Sequence, residues 1–305
     1  MKIEVSTHYQ KRKRTLDFAF KNVFRLAAFL SSIMVLIIFY FIFQKGSSVF
    51  FGDHKISLIK FLTGTKWRSE TQEYGVLFLL INTLYTGFLA ALISFPISVL
   101  TALYISKMAP KSLSKFLKTV IELLSAIPSI IYGLFASGVI VKMVDWMASN
   151  LFNYSTFGGR SNMAVILLLA IMIMPTITII SINAIEAVDE NLEKASLALG
   201  ASETQTHFKV VLISAKSGIF AGLILGLSRA FGEATAVSLV AGNKMYGPSF
   251  NPFDITRTMT STMMIGMNET TGLDYDVRFS VGIVLLIIVF LSNFAINYVK
   301  RKMEV

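Results

Sequence analysis

Long apolar segments alternate with short polar segments along this chain, and the apolar segments set its architecture. A helix needs about 20 predominantly apolar residues to cross the hydrocarbon core of a bilayer. Six segments meet that requirement, at approximately 26–43, 74–106, 119–141, 163–184, 217–242 and 277–299. The pattern predicts an all-α, polytopic membrane protein with six transmembrane helices in a domain over 26–300, preceded by a polar, basic tail at 1–25.

Three of these predicted spans contain a proline, at Pro96, Pro128 and Pro175, and each proline removes a backbone donor from a helix. The span at 74–106 carries no formal charge and is longer than a straight crossing needs. We therefore expect it to project beyond the bilayer or to bend at Pro96. Pro128 predicts a kink within the span at 119–141, after which 142–162 forms a polar connection.

Two of the connections that we place on the outer side show short helical patterns. Residues 56–62 put apolar side chains on one side of an amphipathic segment, which we expect to lie at the membrane interface. The connection before the last span is rich in Gly, Pro, Thr and Met, and its residues 254–267 predict a further short helix.

The loop at 185–216, between the fourth and fifth spans, carries strong helix-boundary signals. Asp189 is a predicted N-cap, and Gly200 is a residue that commonly follows a helix C-terminus. Ser202 and Gln205 then form a capping box, which opens a second helix. The loop is therefore predicted to be a helix-turn-helix that leads directly into the fifth span.

Composition supports a membrane protein and argues against a soluble domain and against cysteine-dependent sites. Of 305 residues, 54% are hydrophobic and 15% are charged, and the mean hydropathy is +0.66. A soluble domain carries a larger charged fraction, of about 25%. The sequence contains no cysteine, which excludes a disulfide framework, a thiolate nucleophile and a cysteine metal site.

The net charge of +10 is distributed unevenly between the loops of the two membrane sides. Lys and Arg are in excess in the loops that share a side with the N-terminus, and this bias marks the cytoplasmic side of a membrane protein. We therefore expect a multi-pass membrane protein with both termini in the cytoplasm and with lipid as its surroundings. The basic residues are not gathered on one water-facing patch, so nucleic acid is not an expected partner.

The fifth predicted span contains two formal charges, Arg229 and Glu233, near its middle. A charge at that depth costs at least roughly 2.5–3.5 kcal/mol, so such residues face inward and are functional by default. Their i, i+4 spacing in a continuous helix would place both on one face. Two interpretations stay open: a functional site inside the membrane, or a buried ion pair that only sets helix register.

Several enzymatic motifs are absent from the sequence. It contains no phosphate-binding G-x-x-x-x-G-K-[ST] loop, no H-E-x-x-H zinc motif and no G-x-S-x-G nucleophile elbow. The three histidines, His8, His54 and His207, all lie outside the predicted spans. We therefore expect no catalytic site, no bound metal and no cofactor of the chain's own.

The loop at 185–216 resembles a known motif. The letters KASLALGAS at 194–202, followed by FKVVLISAKSGI at 208–219, are similar to the EAA loop of ABC-transporter permeases. The chain differs from that pattern at Lys194 and Ile213, where Glu and Pro are usual. The resemblance implies a coupling helix that docks on a cytoplasmic ATPase dimer, which would use ATP and Mg²⁺. The coupling residues it implies are Glu193, Lys194, Ala195, Ser196, Leu199, Gly200 and Ala201.

A second resemblance is more specific. The letters GLSRAFGEATAVSLVAGN at 226–243 are similar to the R-A-x-G-E-T-x-A-V-x-x-V-x-G-N signature of the PstC-type permease subunits of phosphate importers. The letters FLTGTKW at 61–67 fit an outward loop of the same subunits. This resemblance implies transport of inorganic phosphate, with a homologous PstA-like permease, a PstB-like ATPase and a PstS-like extracytoplasmic binding protein as partners. The pathway residues it suggests are Arg229, Glu233, Thr235, Ser238 and Asn243.

Two alternative functions stay open from the sequence. One is an ABC permease for another oxyanion or small solute, and the other is an ATP-independent channel or carrier.

Overall fold

The structure is a computed structural model that describes residues 7–51 and 56–303, and it is built almost entirely of helices. The first six residues of the predicted tail lie outside the described residues. In chain order the elements are α1 (Thr7–Phe51), α2 (Leu58–Thr63), β1 (Trp67–Arg68), β2 (Glu73–Tyr74), α3 (Leu77–Leu103), α4 (Lys111–Ala126), α5 (Ser129–Phe135), α6 (Val141–Leu151), α7 (Asn162–Glu186), α8 (Glu190–Ala198), α9 (Glu203–Thr206), α10 (Leu212–Ser214), α11 (Lys216–Gly232), α12 (Thr235–Val240), α13 (Met259–Met264) and α14 (Leu273–Met303).

Within the described residues, five helical segments are long and apolar enough to cross a membrane. A sixth candidate is the bent pair formed by Glu203–Ser214 and Lys216–Gly232, whose halves meet at 65°. The prediction of an all-α, multi-span membrane protein is confirmed.

Helix α7 lies at the centre of the helical core, packed between α3 and α11. Its side chains Leu168, Ile173 and Ile177 are almost completely buried. Close approach of α11 depends on Gly226, because a Cβ at that position would lie 2.8 Å from Cγ1 of Ile177. Small residues let helix backbones approach each other, which is how helices associate without a hydrophobic driving force in lipid.

The first helix begins at Thr7, which corrects the prediction of a polar tail separate from the first span. No Gly or Pro occurs before Gly46, so nothing in the local sequence ends the helix between the polar and apolar parts. Helix α1 packs mainly against α14, where the Ser280 hydroxyl donates to the Gly46 carbonyl at 2.6 Å.

The third predicted span is wrong in its boundaries. Instead of a kinked helix over 119–141, α4 ends at Ala126 and α5 begins after Pro128. Ile127 is extended, with ψ of 127°, because proline disfavours the helical conformation of the residue before it. The apolar span runs over Ser129–Leu151, so the start of the predicted connection at 142–162 is helical.

The second span runs over Leu77–Met108, with Pro96 inside the helix. Its predicted start is shifted because Tyr74 belongs to β2, which pairs antiparallel with β1. This small hairpin and the short helix α2, which was predicted as an amphipathic segment, lie at the same end of the molecule.

Replacing Gly46 with Ala tests the packing of α1 on α14. The new Cβ would lie 2.6 Å from Cδ1 of Ile283 and 2.8 Å from the Phe279 backbone, so one helix must shift. We expect a loss of stability of about 1–3 kcal/mol from overpacking, measured by thermal unfolding in detergent. The control is Gly138→Ala, whose Cβ would meet nothing within 4 Å. Equal unfolding temperatures for the two variants would contradict the described packing.

Candidate functional site

The predicted fifth span is broken at its charged centre. Helix α11 ends at Gly232, Glu233 is extended with φ of −75° and ψ of 116°, and α12 begins at Thr235. The prediction of one continuous helix over 217–242 is therefore wrong. Arg229 and Glu233 do not form an i, i+4 pair on one helical face.

Glu233 stabilises both sides of this break. Its carboxylate Oε1 accepts a hydrogen bond from the backbone N–H of Ala236 at 3.0 Å, which caps the first turn of α12. Its backbone carbonyl, released from the helical ladder, accepts a hydrogen bond from the hydroxyl of Thr260 at 2.7 Å. The donor comes from α13, 27 residues further along the chain.

Arg229 lies in the last turn of α11, where its positive charge interacts favourably with the helix dipole. Its Nη1 donates to the hydroxyl of Thr176 on α7 at 3.0 Å. No carboxylate of the described residues lies within 4.0 Å of its guanidinium, so the expected ion pair with Glu233 is not formed.

Hydrogen bonds join the three predicted pathway residues after the break, Thr235, Ser238 and Asn243. The Ser238 hydroxyl donates to the Thr235 carbonyl at 2.8 Å, and the Asn243 amide donates to the Ser238 carbonyl at 3.0 Å. The Thr235 hydroxyl contacts the sulfur of Met264. Asn243 has a left-handed φ of 58°, and its Oδ1 is buried without a donor. Two of these side chains therefore serve the local backbone, and Asn243 keeps an unused acceptor.

The helix boundaries predicted at Asp189, Gly200 and Ser202 are confirmed, but the second helix does not run directly into the fifth span, because Glu203–Ser214 and Lys216–Gly232 meet at 65°. The Asp189 carboxylate caps α8 by accepting from the Asn191 N–H at 2.9 Å. Gly200 follows the helix with φ of 85°. Ser202 and Gln205 form the predicted capping box at the start of α9.

The residues of the predicted coupling segment fall into two groups. Glu193 and Ser196 face the protein, since Glu193 forms an ion pair with Lys107 and Ser196 shares a hydrogen bond with Thr206 at 2.8 Å. The other group faces away from the core. Leu199 is 90% exposed, and the remaining exposed or partly exposed residues are Lys194, Ala195, Gly200 and Ala201. These exposed residues belong to α8 and the turn after it, and we call this end of the molecule the α8 end.

The connection between α12 and α13 is a folded part of the protein at the opposite end. Asp254 is its centre, since its carboxylate accepts from the hydroxyls of Ser249 at 2.6 Å and Tyr154 at 2.8 Å. Lys244 lies 3.6 Å from the same carboxylate. The Ser249 hydrogen bond chiefly holds the pKa of Asp254 below its ordinary value, with Tyr154 and Lys244 acting in the same direction and burial opposing them.

Two buried arginines in this region were missed by the sequence reasoning. Arg257 and Arg278 are 4% and 5% exposed. Arg257 is the only charged residue between Asp254 and Glu269, and Arg278 lies in the first turns of α14. The signal that could have identified Arg257 is a lone positive charge in a stretch that is otherwise uncharged from 255 to 268.

The comparisons with known families and relatives agree with one another. Residues 94–305 match the family described as "Binding-protein-dependent transport system inner membrane component". The chain is 35% identical over 254 residues to the "Probable ABC transporter permease protein YqgH" of Bacillus subtilis, covering 82% of this chain and 80% of that protein. It is 32% identical over 241 residues to the "Phosphate transport system permease protein PstC" of Pasteurella multocida, covering 75% of each.

Similar solved structures share the fold at lower identity. A bacterial alginate importer matches with a TM-score of 0.63 at 18% identity, covering 95% of this chain and 99% of that chain. The methionine transporter MetNI in an inward-facing conformation matches with a TM-score of 0.58 at 20% identity, covering 74% of this chain and 94% of that chain.

Replacing Thr260 with Val tests the support of the helix break. The variant keeps the side-chain shape and removes the hydroxyl, so the Glu233 carbonyl loses its donor. We expect a loss of stability of about 1–3 kcal/mol in thermal unfolding, because a partly buried acceptor is left unsatisfied. The control is Thr63→Val, whose exposed hydroxyl bonds only within α2. If Thr260→Val unfolds at the same temperature as the control, the Thr260–Glu233 bond does not support the break.

Proposed function

The chain belongs to the family of inner membrane components of binding-protein-dependent transport systems, and from this premise we propose that it imports inorganic phosphate. It is a multi-pass permease subunit of an ABC transporter, a transport component and not an enzyme. The proposal concerns its substrate, its pathway residues, its individual partners and its orientation.

The main support for phosphate as the substrate is the environment of the Arg229 guanidinium. Its guanidinium is half-buried at a helix break, with one neutral hydrogen-bond partner and no carboxylate of the described residues within 4.0 Å. A planar guanidinium presents parallel donors that match the oxygens of a phosphate. The signature around it and the relatives named for phosphate transport support the same substrate.

Glu233 provides a basis for selectivity. Its Oε1 is used by the Ala236 N–H, which leaves Oε2 as an acceptor. A carboxylate accepts a hydrogen bond from the proton of hydrogenphosphate and repels sulfate, which is fully ionised at neutral pH. Arg229 therefore attracts the anion, and Glu233 favours an anion that carries a proton. Thr235, Ser238 and Asn243 line the continuation of this route.

The exposed face of α8 is the proposed contact with the motor. Leu199 and the neighbouring residues form an apolar projection with no covering group in the described chain. A PstB-like ATPase dimer would bind there and supply the hydrolysis of ATP with Mg²⁺. The other proposed partners are a PstA-like permease beside this chain and a PstS-like binding protein at the hairpin end. Both termini would then lie in the cytoplasm, on the side of α8.

Replacing Arg229 with Gln tests the substrate site. We expect phosphate uptake by the reconstituted complex to fall at least about 30-fold, because the substrate loses its charged donor. The measurement is uptake of labelled phosphate into proteoliposomes with the ATPase and the binding protein present, with sulfate as competitor. Size-exclusion chromatography checks assembly, and Arg68→Gln at an exposed position is the matched control. Unchanged uptake would remove Arg229 from the pathway, and effective competition by sulfate would remove the phosphate assignment.

Replacing Leu199 with Ser tests the coupling surface. The side chain is 90% exposed, so the fold should be unaffected, whereas an ATPase groove would lose an apolar contact of about 1.5–3 kcal/mol. We expect weaker co-purification of the ATPase and slower transport. The control is Leu62→Ser on α2, at the other end of the molecule, where Leu62 is 42% exposed. Equal ATPase recovery with both variants would contradict docking at α8.

A further inference from the structure

Arg257 is a buried cation with unused donors. It lies just before α13, at the end of the molecule opposite α8, and is 4% exposed. Its Nε donates to the Thr262 hydroxyl at 2.9 Å, and its guanidinium lies over the Trp67 ring at 5.9 Å. Within the described part of the chain, neither of its terminal nitrogens has a hydrogen-bond acceptor.

Arg278 adds a second positive charge beside it. Its Nη1 donates to the carbonyls of Thr262 and Ile265, and its Nε donates to the Asp274 carbonyl at 3.1 Å. Thr262 thus joins the two arginines, with its hydroxyl to Arg257 and its carbonyl to Arg278. Burial chiefly lowers the pKa of Arg257, to about 10, and the charge of Arg278 acts in the same direction.

The two arginines have different roles in this cluster. Arg278 uses its donors on the carbonyls at the end of α13 and so has a structural function. Arg257 has the cation–π contact and one hydroxyl, which leave the fork of its guanidinium open. No ion pair within 4.0 Å joins either arginine to a carboxylate of the described residues. Buried charges in proteins are normally paired, so the open fork of Arg257 indicates an anion from outside the chain.

Two neighbours of Arg257 carry unused hydroxyls: Thr256 precedes it in the chain, and Tyr74 packs against Trp67. The hydroxyls of Thr256 and Tyr74 are buried and have no hydrogen-bond partner. The Tyr74 ring contacts the Trp67 ring at a centroid distance of 5.1 Å, so it belongs to the same cluster. Tyr74 also lines a cavity of about 710 Å³ whose walls include Lys60 and Lys66.

The same segment connects Arg257 to the helix break. Three residues after Arg257, the Thr260 hydroxyl donates to the Glu233 carbonyl at 2.7 Å. The Arg257 carbonyl is itself fixed by the Asn82 amide at 3.2 Å. Arg257 therefore lies on a segment that hydrogen bonds fix both to α3 and to the helix break after Arg229.

We propose that Arg257 is the charged group of a second oxyanion site, which takes a tetrahedral oxyanion of the phosphate class before it reaches Arg229. The assignment of the anion as phosphate rests on the proposed function, whereas the site itself requires only an oxyanion. The guanidinium fork binds two oxygens, and the hydroxyls of Tyr74 and Thr256 are available as additional donors. The anion would exchange part of its hydration shell for these donors on entering.

Fluorescence of Trp67 provides a direct test, because Trp67 lies under the guanidinium of Arg257. The sequence has two tryptophans, Trp67 and Trp146, so Trp146→Phe leaves Trp67 as the sole tryptophan of the chain. The full chain with this change, in lipid nanodiscs, is titrated with sodium phosphate and with sodium sulfate, against sodium chloride at equal ionic strength. We expect a saturable change in Trp67 emission with an oxyanion and none with chloride.

Added variants identify the residue responsible. Arg257→Gln should weaken the response at least about tenfold, while Arg229→Gln should leave it in place. Arg257→Lys should restore part of it, since a point charge replaces a fork. Tyr74→Phe removes only a hydroxyl and should weaken the Trp67 response by a smaller factor. This variant replaces Arg257→Gln in the test if Arg257→Gln does not fold.

Each outcome decides the proposal. A parent chain with no saturable oxyanion response, or an Arg257→Gln chain that folds and titrates like its parent, would overturn it. A response lost in Arg229→Gln and kept in Arg257→Gln would assign the binding to the helix break and also overturn it. If sulfate gives the response and phosphate does not, the second site stands and the assignment of phosphate as the substrate fails.

Discussion

The hydrogen bond from the Thr260 hydroxyl to the Glu233 carbonyl makes the centre of this fold possible. A helix that stops inside an apolar core releases carbonyls that have no water to bind, and each unsatisfied group costs about 1–3 kcal/mol. Glu233 caps the next helix with its side chain, and Thr260 satisfies its main chain. Together these two contacts allow non-helical backbone at a depth where it is tolerated only inside protein.

The donor is available because the segment that carries it is fixed from several directions. Asn82 and Thr83 on α3 bind the main chain of Arg257 and Met259. Asn162, at the start of α7, donates to the carbonyls of Ser249 and Asn251, both at 2.9 Å. These buried polar side chains satisfy the backbone of the connection between α12 and α13, which explains their presence in helices that otherwise bury apolar residues.

The electrostatics of the interior follow from the same arrangement. Three half-buried or buried arginines, Arg229, Arg257 and Arg278, have no ion pair with any carboxylate of the described residues. The absence of these ion pairs agrees with the proposed passage of an anion. The carboxylate at the break, Glu233, accepts the backbone N–H of Ala236 and forms no ion pair with Arg229. The positive potential is thus preserved where a substrate would meet it.

The sequence by itself determined those features whose partners lie within one or two helical turns. The lengths of the apolar segments gave the membrane class, and the caps at Asp189 and Ser202 gave the helix-turn-helix, because each donor and acceptor is two to three residues apart. The break at Pro128 also has a local cause, the extended conformation of the residue before proline, but the prediction of a kinked helix over 119–141 missed it. Tertiary structure alone decided the break at Glu233 and the isolation of Arg229 and Arg257. The break depends on the hydroxyl of Thr260, and the two arginines donate to Thr176 and Thr262 instead of to a carboxylate. These partners are distant in sequence, and a periodic pattern of apolar residues does not show which distant polar group will satisfy a buried one.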